Sequence, residues 1–158
     1  MNTTHPIVTA ARSWLGTRFH HQGRLKKTDT HKGGVDCLGL LIGVAKELDI
    51  LSKTREPFSA FDEMNYSLSP DGEYLKTMLT RLLYSVSVDE MQSGDIALFR
   101  MDNNPQHLAV INKSEDGSFT MVHAYAPSRM VVENSLDDFW KEAMVAVFRV
   151  PLEIPSHA

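Results

Sequence analysis

Cys37 is the only cysteine in a chain of 158 residues, and its setting is that of a reactive thiol. Gly33-Gly34-Val35-Asp36 leads into it, and Leu38, Leu40, Leu41, Ile42, Val44, Ala45 and Leu48 follow. That run is apolar on nearly every side and does not alternate. It predicts a buried helix with Asp36 as N-cap and Cys37 in the first turn. The thiolate is the reactive form of cysteine, and a helix N-terminus favours negative charge. Two histidines complete the set. His107 opens the apolar run His107–Ile111, and His123 lies near the end of Phe119–Ala124. The Asp116-Gly117 turn between the runs predicts an antiparallel hairpin, which makes the two imidazoles cross-strand neighbours. A cysteine at a helix N-terminus facing paired imidazoles suits nucleophilic catalysis. His107 would take the thiol proton, His123 would orient His107, and the backbone N–H of Cys37 is a candidate oxyanion donor.

The same residues have plainer readings. A lone cysteine can be a small buried hydrophobe, and a strand histidine can be a hydrogen-bonded structural residue. Cys37, His107 and His123 could also be three zinc ligands. Against zinc, no acidic residue flanks them at metalloenzyme spacing and no HExxH motif occurs, so no metal is expected. His5 and His157, near the ends of the sequence, read as solvated, and His31 in a polar loop receives no role.

The elements that must position these residues follow from periodicity. Pro6–Leu15 predicts a helix capped by Thr4, with Ile7, Val8, Ala11, Trp14 and Leu15 on one face and Gly16 as its stop. Thr17–Lys32 is polar and basic without a usable period, and it predicts a long loop into Cys37. Gly39 and Gly43 lie four apart on one helix face, where another element can approach closely. Glycine lowers helix stability by about 1 kcal/mol relative to alanine, so two in one helix point to a packing reason. Leu51–Pro70 reads as irregular. Asp71–Tyr84 predicts a second amphipathic helix through Tyr74, Leu75, Met78, Leu79, Leu82 and Leu83. Strands are predicted at Ile96–Phe99, His107–Ile111, Phe119–Ala124, Met130–Val132 and Ala143–Val150, with turns at Ser93-Gly94-Asp95 and Asp102–Pro105. Ser135–Trp140 reads as a short capped helix or turn. Helices first and strands afterwards indicate one α+β domain over residues 1–158, with a meandering antiparallel sheet.

Composition bounds the function. Hydrophobic residues make up 42% and charged residues 23%, with a net charge of −4. These are the proportions of a globular domain with a real core and no basic footprint for nucleic acid. One cysteine excludes an internal disulfide and any paired-cysteine metal motif. No stretch is long and apolar enough to span a membrane, so no membrane partner is expected. Residues 1–16 lack the basic-then-apolar pattern of a secretory signal.

With those residues in place, the chain resembles the NlpC-type cell-wall endopeptidases, a papain-like family, and in particular its phage tail-associated branch. The matching pieces are ARSWLGTRFHHQG, GGVDCLGLLIGV, SGDIALF, HLAVI followed by VHAY, and VENSLDDFW with AVFRVP. They come in the family's order and cover most of the chain, least well over Leu51–Val88. The resemblance implies a nucleophile helix packed on an antiparallel sheet, with Cys37 as nucleophile, His107 as base and His123 as orienting residue. It implies hydrolysis of a bond in bacterial peptidoglycan stem peptides, typically from γ-linked D-glutamate to diaminopimelate or lysine, with no cofactor. Two positions depart from the family's pattern. Phe19 stands where many members carry a tyrosine, leaving His21 or Gln22 as nearby substitutes for its hydroxyl, and Leu38 replaces a serine. Asp36 is either a cap alone or also a partner for the free amine of a stem peptide. The expected setting is a phage or prophage tail, with tail proteins as partners and the bacterial cytoplasm as location before assembly. The alternatives are a tail-assembly or tail-tip structural protein with a vestigial site, or an amidase, acyltransferase or thioesterase using the same three residues.

Overall fold

The first helix, α1 (Pro6–Arg12), starts at a proline and buries Ile7, Val8 and Ala11. Its cap is His5 and not the expected Thr4: the His5 imidazole accepts a hydrogen bond from the Ile7 N–H at 3.1 Å. Burial against Gly94 lowers the His5 pKa, so this residue is not the solvated terminus that the sequence implied. The computed structural model describes residues 4–58, 73–101 and 104–152. Most of the expected irregular segment 51–70, the start of the expected helix at 71, residues 102–103 and His157 lie outside them.

Two short strands, β1 (Arg24–Leu25) and β2 (Gly34–Val35), pair antiparallel on either side of the basic loop. They lead into α2 (Cys37–Glu47), which buries seven of its eleven residues. The glycine pair has the expected packing reason. A Cβ at Gly43 would collide with the Trp14 ring, and one at Gly39 would collide with the Gly23 carbonyl. Trp14 also donates from Nε1 to Glu47 at 3.1 Å, which fixes the first two helices together. The amphipathic α3 (Glu73–Leu82) follows, then β3 (Tyr84–Val86), β4 (Ile96–Met101), β5 (Asn104–Lys113), β6 (Phe119–Tyr125), β7 (Met130–Ser135), α4 (Asp138–Ala143) and β8 (Met144–Arg149). Asn104 and Pro105, expected in a turn, are paired strand residues opposite Met101 and Arg100.

The long strands form one antiparallel sheet in the order β3-β8-β4-β5-β6-β7. Alternation gives it two faces. Ile96, Leu98, Leu108, Val110, Val122 and Ala124 pack under the first three helices in the larger core. Ala97, Phe99, Ala109, Ile111 and Met121 face the other way, under Leu136 and Trp140. This is the expected α+β, papain-like arrangement, with the cysteine helix laid on an antiparallel sheet.

Candidate active site

Asp36 makes the turn into α2. Its Oδ1 accepts the Gly39 N–H at 2.8 Å, as an N-cap should, and also faces the Arg24 guanidinium at 3.1 Å. Its Oδ2 accepts the Gln22 N–H at 2.8 Å. Gln22 reaches this position with a left-handed backbone, at φ 61°. The carboxylate is almost fully buried and engaged on both oxygens, so the structure gives it a capping and anchoring role. Arg24 is a residue that the sequence did not single out. Its signal was an arginine twelve positions before a buried aspartate, in a loop without period.

Phe19, half-buried, packs against the larger core that Cys37 also borders, and it bridges Val35. Its N–H donates to the Arg129 carbonyl at 2.8 Å. His21 is exposed in the turn before Arg24, and its carbonyl receives the His20 ring at 3.0 Å. The loop therefore reaches the cysteine helix through Gln22 and Arg24.

The sheet opens where the cysteine arrives. Pairing of β5 with β6 runs from Lys113–Phe119 to Val110–Val122 and goes no further, although both strands continue. The Leu108 N–H lies beyond that last pair and faces the Cys37 sulfur, together with the amides of Leu38 and Cys37 itself. Cys37 lines a small cavity there with Leu108, Ala109 and Val110. It enters from the helix-covered face.

The histidines also lie past that last pair, on the other face of the sheet, with Phe99 and Trp140. His107 Nε2 and His123 Nδ1 are 2.7 Å apart. Continuing the strand register past its last pair sets Tyr125 opposite His107, so the two histidines are cross-strand neighbours, as the hairpin predicted, and meet along the diagonal. Long side chains reach across that diagonal. Beyond them, His123 Nε2 lies 2.6 Å from Asn134 Oδ1, on β7. Phe99, Tyr125 and Trp140 surround the rings, with the Trp140 centroid 5.6 Å from His107 and 5.2 Å from His123.

These surroundings set the charge states. Burial, and then Asp36, pushes the Cys37 thiol up to about 12, against the smaller opposing pull of the backbone amides. Burial, and then His123, pushes His107 down to about 3. His123 is lowered too, chiefly by burial. The resting site therefore holds a neutral thiol and neutral imidazoles. The helix N-terminus was expected to favour a thiolate, but desolvation outweighs it here. Zinc fits this donor set poorly. Two nitrogens on one tetrahedral zinc stand about 3.3 Å apart. These two point at each other at hydrogen-bond distance. Among the described residues, no group of three or more His, Cys, Asp or Glu side chains could hold a metal ion.

No protein-family model matches the chain, and no curated protein matches it at a significant level. Solved structures do. A NlpC/P60 family protein from Bacillus cereus aligns with TM-score 0.61 and 17% identity, over 94% of this chain and 41% of its own. The P60 domain of an M. avium subspecies paratuberculosis antigen aligns with TM-score 0.56 and 15% identity, over 94% and 93%. An N-acetylmuramoyl-L-alanine amidase from Bacteroides uniformis aligns with TM-score 0.53 and 11% identity, over 91% and 98%. The chain thus spans less than half of the Bacillus protein. At these identities the likeness establishes a shared fold.

Proposed function

We propose that this domain is a cysteine hydrolase of bacterial peptidoglycan stem peptides, with Cys37 as nucleophile, His107 as general base and His123 as the residue that orients it. The observation that carries the reading is that the Cys37 sulfur meets β5 at the Leu108 N–H, one residue along from His107, whose ring is hydrogen-bonded to His123. Sγ attacks the amide carbonyl carbon as His107 takes its proton, because the resting thiol is neutral. The C–N bond then breaks, His107 returns the proton to the leaving amine, and water hydrolyses the thioester to restore the thiol. The amides at the start of α2 are placed to stabilise the oxyanion.

The substrate class is supported by the sequence resemblance and by neighbours that are a NlpC/P60 family protein and a muramoyl-alanine amidase. The bond that we favour joins γ-linked D-glutamate to diaminopimelate or lysine. A second reading, cleavage at the muramoyl–alanine amide, has its own support. The Asp36 carboxylate, which the first reading would offer to a free amine, is held by Arg24, Gln22 and Gly39. The phage or prophage tail setting, with tail proteins as partners, rests on the sequence resemblance.

Digestion of purified muropeptides, read by mass spectrometry, tests the proposal. The wild-type protein should release stem fragments whose masses locate the bond, and Cys37→Ala should release none. Cleavage that survives Cys37→Ala, or no cleavage by the wild type across several stem chemistries, would overturn it.

A further inference from the structure

The hydrogen-bond chain behind His107 does not end at His123, and its last member decides the protonation pattern of the others. His123 is fully buried, and both of its ring nitrogens have partners. The Asn134 amide is oriented by its own Nδ2, which donates to the Ser135 carbonyl at 3.0 Å. That turns Oδ1 toward His123 Nε2 at 2.6 Å. An amide oxygen only accepts, so His123 Nε2 carries a proton. A neutral imidazole has a single N–H, so His123 Nδ1 is an acceptor. The nitrogen that faces it, His107 Nε2, must then donate. Only Nδ1 of His107 is left with a lone pair.

The backbone explains why Asn134 can do this. His123 pairs with Val132, and Asn134 lies two residues further along the same strand and on the same face. His107, His123 and Asn134 thus form a diagonal across β5, β6 and β7. Glu133, the nearest charged residue in sequence, is turned to Arg12 and Thr120. We infer that Asn134 is a positioning residue that fixes the tautomer of His123, and through it makes Nδ1 the basic nitrogen of His107. The inference rests on the reading of His107 as general base, and goes beyond it in naming the atom and the residue that selects it.

Imidazole tautomers can be read directly on the full chain with 15N-labelled histidine, from long-range 1H–15N spectra at pH 8. Wild type should show His107 and His123 both protonated at Nε2. Asn134→Leu removes the acceptor. His123 should move to its Nδ1–H form and His107 should follow. Turnover should then fall about 10²-fold or more, as when a catalytic histidine is held in the wrong tautomer, with little change in KM. Asn134→Asp keeps an acceptor and should keep the wild-type tautomers, which a merely structural role would not predict. A wild type with His107 protonated at Nδ1, or tautomers unchanged in Asn134→Leu, would overturn the inference. The tautomer readout needs no activity. A wild type that is inactive on every stem yet shows this pattern would remove the hydrolase reading and leave the role of Asn134 standing. An active wild type whose tautomers survive Asn134→Leu would do the reverse.

Discussion

The two halves of the site are built on opposite principles. The cysteine half is a helix N-terminus fastened by charge and backbone: Asp36 gathers Arg24, Gln22 and Gly39 around the turn into α2. The histidine half is nearly dry, with two neutral rings packed among Phe99, Tyr125 and Trp140 and linked in a line to Asn134. A polar clamp can place an atom while the loop around it varies. An aromatic enclosure instead fixes the base's charge and direction together, because a buried ring cannot take up a proton cheaply. The thiol positioned the first way lies against β5 at Leu108, next in sequence to His107, which is positioned the second way.

That contrast can be broken from either side. The largest expected effect comes from emptying the aromatic enclosure. Trp140 is buried against both histidines. Trp140→Ala should lower stability by about 3–5 kcal/mol in urea denaturation, with the histidine resonances broadened more than those of α2. Acid should act next on the same half. The folded pKa of His107, about 3, lies below the ordinary 6.5, so the unfolded chain takes up the proton first as pH falls. The stability linked to that ring is complete above pH 6.5 and is lost as pH falls toward 3. It should amount to about 2–3 kcal/mol between pH 7 and pH 4.5, and His107→Phe should flatten the slope. The cysteine half should respond least. Arg24→Met leaves the buried Asp36 without its cation but with both backbone donors, and should cost about 1–2 kcal/mol. An equal loss from Arg24→Met and Trp140→Ala would erase the distinction between the halves.

The sequence disclosed these halves unequally, for physical reasons. Asp36 as cap, Cys37 at the start of a buried helix and the close packing at Gly43 were all legible, because capping and apolar periodicity are local. The hairpin through Asp116-Gly117 was legible too, and with it the nearness of His107 and His123. The turn did not disclose that the pairing stops at Val110 and Val122 although both strands continue. Asn134 was missed although it carries a signal, a poor strand former inside a strand, on the face that His123 occupies. Arg24 was missed because the loop around it has no period. The thiolate expected at the helix N-terminus failed on burial, which a one-dimensional pattern does not measure.

The central claim is that the clamped thiol and the enclosed imidazoles are one catalytic unit, although they reach β5 from its two faces. The direct measurement is turnover of muropeptides by Cys37→Ala, by His107→Ala and by the double variant. Residues that act as a unit are strongly non-additive. Each single change should therefore cost about 10³-fold or more, and the double change no more than the worse single one. Turnover near the wild-type rate in His107→Ala, or losses that multiply in the double variant, would contradict the account.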